Sequence, residues 1–197
     1  MKIICAEYYS LANNHQDEPI LFLKPETAII RGGLPFFYPD FTNEIHCSIR
    51  MVCRICKLGR HIQPRFSHTY FDEIGVALDF SATDVLSDLS ENSLPWETAR
   101  AFDGSSAISH FITLDQVQDG HGFLYDLIKN GESMQQGSFT QMMQTMDALI
   151  ARVSAFFTIK IGDLIMVDLS GDSFRVQVGD TVEASLDGKR MLRLAVK

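Results

Sequence analysis

An α+β fold in which strands dominate is predicted for this 197-residue chain by three features: an apolar/polar alternation over residues 47–56, two turn dipeptides set between apolar runs, and one long helical stripe. Taken in order, Ile3-Ile4-Cys5 and Ile20-Leu21-Phe22-Leu23 read as strands, the second stopped at Lys24-Pro25 because proline cannot donate to a ladder. Over residues 47–56, Cys47, Ile49, Met51, Cys53 and Ile55 share one face, and Ser48, Arg50, Val52 and Arg54 the other. That is the pattern of a half-buried strand. Residues 75–80 form a nearly continuous apolar run, which predicts a central strand. Ser81-Ala82-Thr83-Asp84 has the form of a capping box, with Ser81 accepting a backbone N–H and Asp84 at the positive helix end, so a short helix to about Leu89 is expected. Pro95-Trp96 then marks a loop. Asn130-Gly131 and Asp187-Gly188, each between apolar runs, predict tight hairpins. Met142, Met146, Leu149, Ile150, Val153 and Phe157 fall on one face of a helix, opposite Asp147 and Arg152. With no repeat, linker or low-complexity tract, residues 1–197 read as a single domain.

Composition narrows the function classes. Apolar residues make up 46% and charged residues 21%, the profile of a soluble globular chain. Seventeen basic against twenty-five acidic residues leave a formal charge of −8, which opposes binding to a phosphate backbone, so no nucleic-acid partner is expected. No run of about 18 apolar residues exists, so no membrane span is expected. Four cysteines suit reduced thiols in the cytoplasm better than a disulfide framework. Cys53 and Cys56 form a CxxC, but residues three apart on a strand face opposite ways and cannot share a metal without a bend. HExxH, P-loop, GxGxxG and GxSxG motifs are absent.

Lys2-Ile3-Ile4-Cys5 and Glu18-Pro19-Ile20-Leu21-Phe22-Leu23-Lys24-Pro25, with several later segments in order, resemble the fumarylacetoacetate hydrolase family: the first resembles its opening strand and the second its EPVLFLKP segment. Leu94-Pro95-Trp96 followed by Ala101-Phe102-Asp103 is similar to its PW and FD loop, and Asn130-Gly131-Glu132, Gln135 and Gly137 to its NGE..Q.G turn. Residues 150–163 resemble its helix and strand entry. The resemblance implies a mixed and antiparallel β-roll with a few short helices, commonly a homodimer. It also implies chemistry on 2-oxo and β-diketo acids, with Mg²⁺ or Mn²⁺ held by three carboxylates.

By the same resemblance, Asp79 stands at the family's metal-binding aspartate, while Ser48 and Arg50 stand where a Glu-x-Glu pair would be. A unit charge 4 Å from a dication costs roughly 8 kcal/mol at an effective dielectric of 20, so Arg50 opposes a metal there, and none is expected unless the family site survives. Arg50 is expected to pair with Asp79 instead. Asn13 and Gln16 replace the family's His and Glu acid/base pair, and neither exchanges a proton near neutral pH. His15, two residues away, and Arg100, in place of the loop lysine, are the candidate catalytic residues. Leu86 replaces a glutamine, and Val167-Asp168-Leu169-Ser170 replaces the TGTP turn that holds a substrate carboxylate. Lys24, Arg50, Asp79, Arg100 and Gln135 are the candidate ligand-binding residues. So many changes on one constellation predict a non-catalytic, dimeric or ligand-binding scaffold. The alternative is a divergent hydrolase, decarboxylase or isomerase acting on a small 2-oxo acid through Arg50 and Arg100.

Overall fold

The computed structural model describes residues 1–7, 10–11, 14–15, 19–116, 123–138, 142–168 and 171–197, with backbone alone at 10–11, 14–15 and 142–144. Tyr8, Tyr9, Asn13, Gln16, Leu169 and Ser170, which the resemblance singles out or flanks, lie outside the described residues.

The N-terminal apolar run forms β1 (Ile3–Glu7), buried along its whole length although it ends in an acid. Two short strands, β2 (Ser10–Leu11) and β3 (Asn14–His15), pair with each other. Then β4 (Ile20–Lys24) returns antiparallel to β1 and stops at Pro25, and β5 (Ile29–Ile30) follows. The alternating segment is β6 (Ile45–Ile55), and the apolar run after it is β7 (Phe71–Ala82); the two form the long antiparallel centre of the molecule. Helices α1 (Thr83–Glu91) and α2 (Glu97–Arg100) precede β8 (Ser106–Ile108) and β9 (Ile112–Thr113), both of which pair with β7. The first hairpin is β10 (Leu124–Lys129) with β11 (Glu132–Ser138), and α3 (Met142–Phe156) follows. Strands β12 (Leu164–Asp168) and β13 (Phe174–Val176) return to β6, and the second hairpin, β14 (Thr181–Leu186) with β15 (Lys189–Ala195), ends the chain.

The large sheet runs β4-β1-β12-β6-β7-β8-β5, with β13 beside β6 and β9 beside β7; a second sheet runs β11-β10-β14-β15. The β1–β12 and β5–β8 pairs are parallel and the other ladders antiparallel, a mixed β-rich fold with few helices. The main core lies on one face of the large sheet, where odd-numbered residues of β6 meet Leu127, Val182 and Leu192 from the second sheet and Met146, Ile150 and Val153 from α3. A smaller cluster (Ile3, Cys5, Phe22, Val52, Ala77, Leu164 and Met166) lies on the opposite face, with Trp96 packed over it. Among the described residues, no helix is long and apolar enough to cross a membrane.

Two local expectations are corrected. Strand β6 is buried along the middle of both faces, not one, because Val52 packs into the second cluster and Ser48 and Arg50 are buried beside it. Ser81 does not cap α1; β7 continues to Ala82, which is the N-cap residue and makes no side-chain cap bond. Asp84 instead accepts hydrogen bonds from Thr42 and from the Asn43 N–H, tying the helix start to the segment before β6. Pro95-Trp96 is a loop as expected, and the helical turn α2 that follows it brings Arg100 inward to a buried position.

Candidate active site

Strand register assembles the site before any side chain is considered. Asp168 on β12 opposes Arg50 on β6, Ser48 opposes Asp79 on β7, and Asp79 opposes Ser106 on β8. Cross-strand partners share a face, so these residues form a polar row beside the smaller apolar cluster. Glu7 ends β1 and Lys24 ends β4, on the two strands that extend the sheet beyond β12. Arg100 descends from α2.

The row is a closed ion network. Lys24 Nζ donates to Asp79 Oδ1, to Ser106 Oγ at 3.0 Å and to Ser105 Oγ at 3.2 Å, and Ser106 Oγ donates to the same Asp79 oxygen. The expected Arg50–Asp79 contact is present: Arg50 Nε lies 2.6 Å from Asp79 Oδ2. Its N–H is not aimed at that oxygen, so the contact is ionic rather than a directed hydrogen bond. Arg50 Nη2 donates to Glu7 Oε1 at 2.5 Å and lies 3.5 Å from Asp168 Oδ2. Arg100 donates from both terminal nitrogens to both Glu7 oxygens, and its guanidinium sits 4.7 Å from the Phe22 ring and 5.6 Å from Trp96. Among the described residues, Arg50 Nη1 is buried with no acceptor.

Charge balance explains how so many ions are buried together. Lys24, Arg50 and Arg100 face Glu7, Asp79 and Asp168, three charges of each sign. Burial alone would raise the Asp79 pKa, but the charges of Lys24 and then Arg50 outweigh it and hold this carboxyl below its ordinary range. Burial likewise opposes the Arg50 charge, and Asp79 and Asp168 more than restore it. Cys5, beside the row, is pushed up to about 11 by burial and stays a thiol, so it offers no nucleophile.

The donor set does not fit Mg²⁺ or Mn²⁺. Such ions need several oxygen ligands at about 2.0–2.6 Å, yet both Asp79 oxygens already face cationic side chains. Glu7 is taken by two guanidinium groups. Ser48 adds only a neutral hydroxyl. A dication at this point would meet Arg50 and Lys24 as repelling neighbours.

Of the residues expected from the sequence, Lys24, Arg50, Asp79 and Arg100 come together, and Gln135 does not join them. Gln135 lies on β11 of the second sheet, and among the described residues its buried amide atoms find no partner and no link to the row. His15 lies in β3, and its side chain is outside the described residues. Sequence reasoning missed Glu7 and Ser106. An acid closing an apolar strand was the available signal for Glu7, the same signal that singled out Asp79.

Residues 5–197 match a family described as fumarylacetoacetate (FAA) hydrolase, C-terminal. The mitochondrial oxaloacetate tautomerase of Mus musculus is 31% identical over 180 residues, which are 91% of this chain and 81% of the relative. The oxaloacetate tautomerase of Escherichia coli is 32% identical over 173 residues, 87% and 79% of the two chains. Among solved structures, a fumarylacetoacetate hydrolase family protein from Yersinia pestis superimposes with a TM-score of 0.86 at 32% identity, covering 100% of this chain and 92% of the other. Fumarylpyruvate hydrolase from Pseudomonas aeruginosa, in complex with Mn²⁺ and pyruvate, gives 0.88 at 25% identity, covering 100% and 89%. These relatives carry enzyme names and overturn the expectation of a non-catalytic scaffold. That expectation took the replacement of the family's metal ligands and acid/base pair as loss of activity, whereas the fold gathers Lys24 and Arg100 into one network with Arg50.

Proposed function

This chain belongs to the fumarylacetoacetate hydrolase family, and on that footing we propose that it enolises short 2-oxo acids of the oxaloacetate and acylpyruvate class, with its own buried cations as the electrophile. The observation that carries this reading is Arg50 Nη1, a buried donor without an acceptor among the described residues, in a network that already gathers three positive groups. A buried unsatisfied donor costs about 1–3 kcal/mol, and a ligand oxygen would relieve that cost.

Enolisation suits the charge pattern. A proton leaves C3 of the oxo acid, the C–H electron pair forms a C2–C3 double bond, and the carbonyl pair moves onto the C2 oxygen. Reprotonation at oxygen gives the enol. Decarboxylation of oxaloacetate places charge on the same C2 oxygen: the C3–C4 bond breaks, its electron pair forms the C2–C3 double bond, carbon dioxide departs and the enolate of pyruvate remains. Fixed positive groups in a dry site stabilise the developing oxyanion more strongly than water does. Glu7 and Asp168, with side chains 11% and 15% exposed, are the outer carboxylates of the row, and their partial exposure supports them as acceptors of the C3 proton. His15 is a further candidate for that step, and loss of turnover in His15→Asn would assign it.

The test follows the enol absorbance of oxaloacetate. Protein stripped with EDTA is expected to accelerate its decay over buffer, and added Mg²⁺ to change little. No acceleration of tautomerisation or of carbon dioxide release, with or without Mg²⁺, would overturn the enzyme reading. Four free thiols, three of them buried, support a cytoplasmic setting. A homodimer is proposed from the family resemblance, and light scattering on a sizing column tests it.

A further inference from the structure

We infer that Glu7 occupies the seat of the substrate's carboxylate, as a built-in competitor that the incoming 2-oxo acid displaces. The inference deepens the proposed function and rests on it for the identity of the incoming anion.

The seat has the form of a carboxylate receptor. Arg100 offers two parallel donors to the two Glu7 oxygens, the fork geometry that arginine uses to bind a free carboxylate. Arg50 Nη2 adds a third donor on Oε1. Phe22 and Trp96 pack against the Arg100 guanidinium, and their rings meet edge to face at 5.1 Å. The fork is therefore held by apolar contacts as well as by Glu7, and is preorganised to receive another anion.

Asp79 and Glu7 are not equally committed to the network. Asp79 is locked by Lys24, Ser106 and Arg50, with its side chain wholly buried. Among the described residues Glu7 accepts only from the two arginines, and its side chain is 11% exposed. It is also the last residue of β1, so its side chain can swing without breaking a ladder in the middle of a sheet. Exchange of one carboxylate for another leaves the charge count of the seat unchanged, and the released Glu7 gains hydration. Once displaced, Glu7 stands beside the bound oxo acid as a carboxylate.

Oxalate, a planar dianion resembling the enolate, is the probe, titrated calorimetrically in EDTA into the wild-type protein and Glu7→Gln. Removing the competitor is expected to tighten oxalate binding tenfold or more. Equal or weaker binding in Glu7→Gln overturns the inference, because a merely structural Glu7 would loosen the seat when removed. If Glu7→Gln does not fold, Glu7→Asp, whose shorter side chain seats less well, is expected to bind oxalate more tightly than the wild type, and unchanged or weaker affinity again overturns the inference. Binding is read without turnover, so a protein inactive on oxaloacetate whose oxalate affinity rises in Glu7→Gln refutes the proposed function and leaves the seat standing.

Discussion

On one face of β6, Ile45, Cys47, Ile49, Met51, Cys53 and Ile55 are buried in the main core; on the other, Ser48 and Arg50 are buried almost as completely, among ions. The apolar face is satisfied by neighbours of about the right volume, whichever strand supplies them. The charged face is satisfied only by particular partners: Asp79 from β7, Asp168 from β12 and Glu7 from β1. One strand thus carries a tolerant surface and an exacting one, back to back.

The largest expected effect breaks the exacting face. Asp79→Ala leaves Lys24 and Arg50 buried without their shared carboxylate and is expected to cost about 3–5 kcal/mol in urea unfolding. The double change Lys24→Met with Asp79→Leu removes one charge of each sign and should recover most of that stability while lowering turnover. If the double variant is as unstable as Asp79→Ala, the row serves the fold and the contrast between the two faces disappears.

Next comes Arg50→Lys, which keeps the charge but loses the fork and Nη1. Its turnover on oxaloacetate is expected to fall about 10²–10³-fold, the usual loss when one oxyanion donor is removed, with a circular dichroism melt reporting whether the fold is intact. Acid sharpens the comparison further. Because Lys24 and Arg50 depress the Asp79 pKa in the fold, its contribution to stability is complete above the unfolded value of about 3.9. It is lost as pH falls from there through the lower folded value. Asp79→Asn should flatten that part of the stability–pH curve measured by urea unfolding. The smallest effect belongs to the tolerant face: Ile49→Val is expected to cost about 0.5–1.5 kcal/mol, with KM for oxaloacetate unchanged.

What could be read from the sequence follows the distance over which each signal acts. The two hairpins were legible because Asn130 and Gly131, and Asp187 and Gly188, have φ of 51°, 88°, 47° and 74°, conformations these residues adopt locally. Gly137 has a different reason to be glycine, since a Cβ there would run into the Tyr125 ring. The stripe of α3 was legible for the same local reason as the hairpins. An acid inside the apolar run of β7 announced a partner, and Arg50 is one of its partners. Lys24 as the other, 55 residues away from Asp79, depends on the order β4-β1-β12-β6-β7, which no local pattern encodes. The bond from Arg100 to Glu7 spans 93 residues and needs both α2 and β1 in place. Ser81 misled because a capping pattern says nothing about whether the preceding strand has ended.

Trp96, which packs against Arg100, is the chain's one tryptophan. Indole emission responds to the electric field of nearby charges, so the protein carries its own optical reporter, and exchange of one anion for another on that guanidinium should register as a shift in fluorescence without any label.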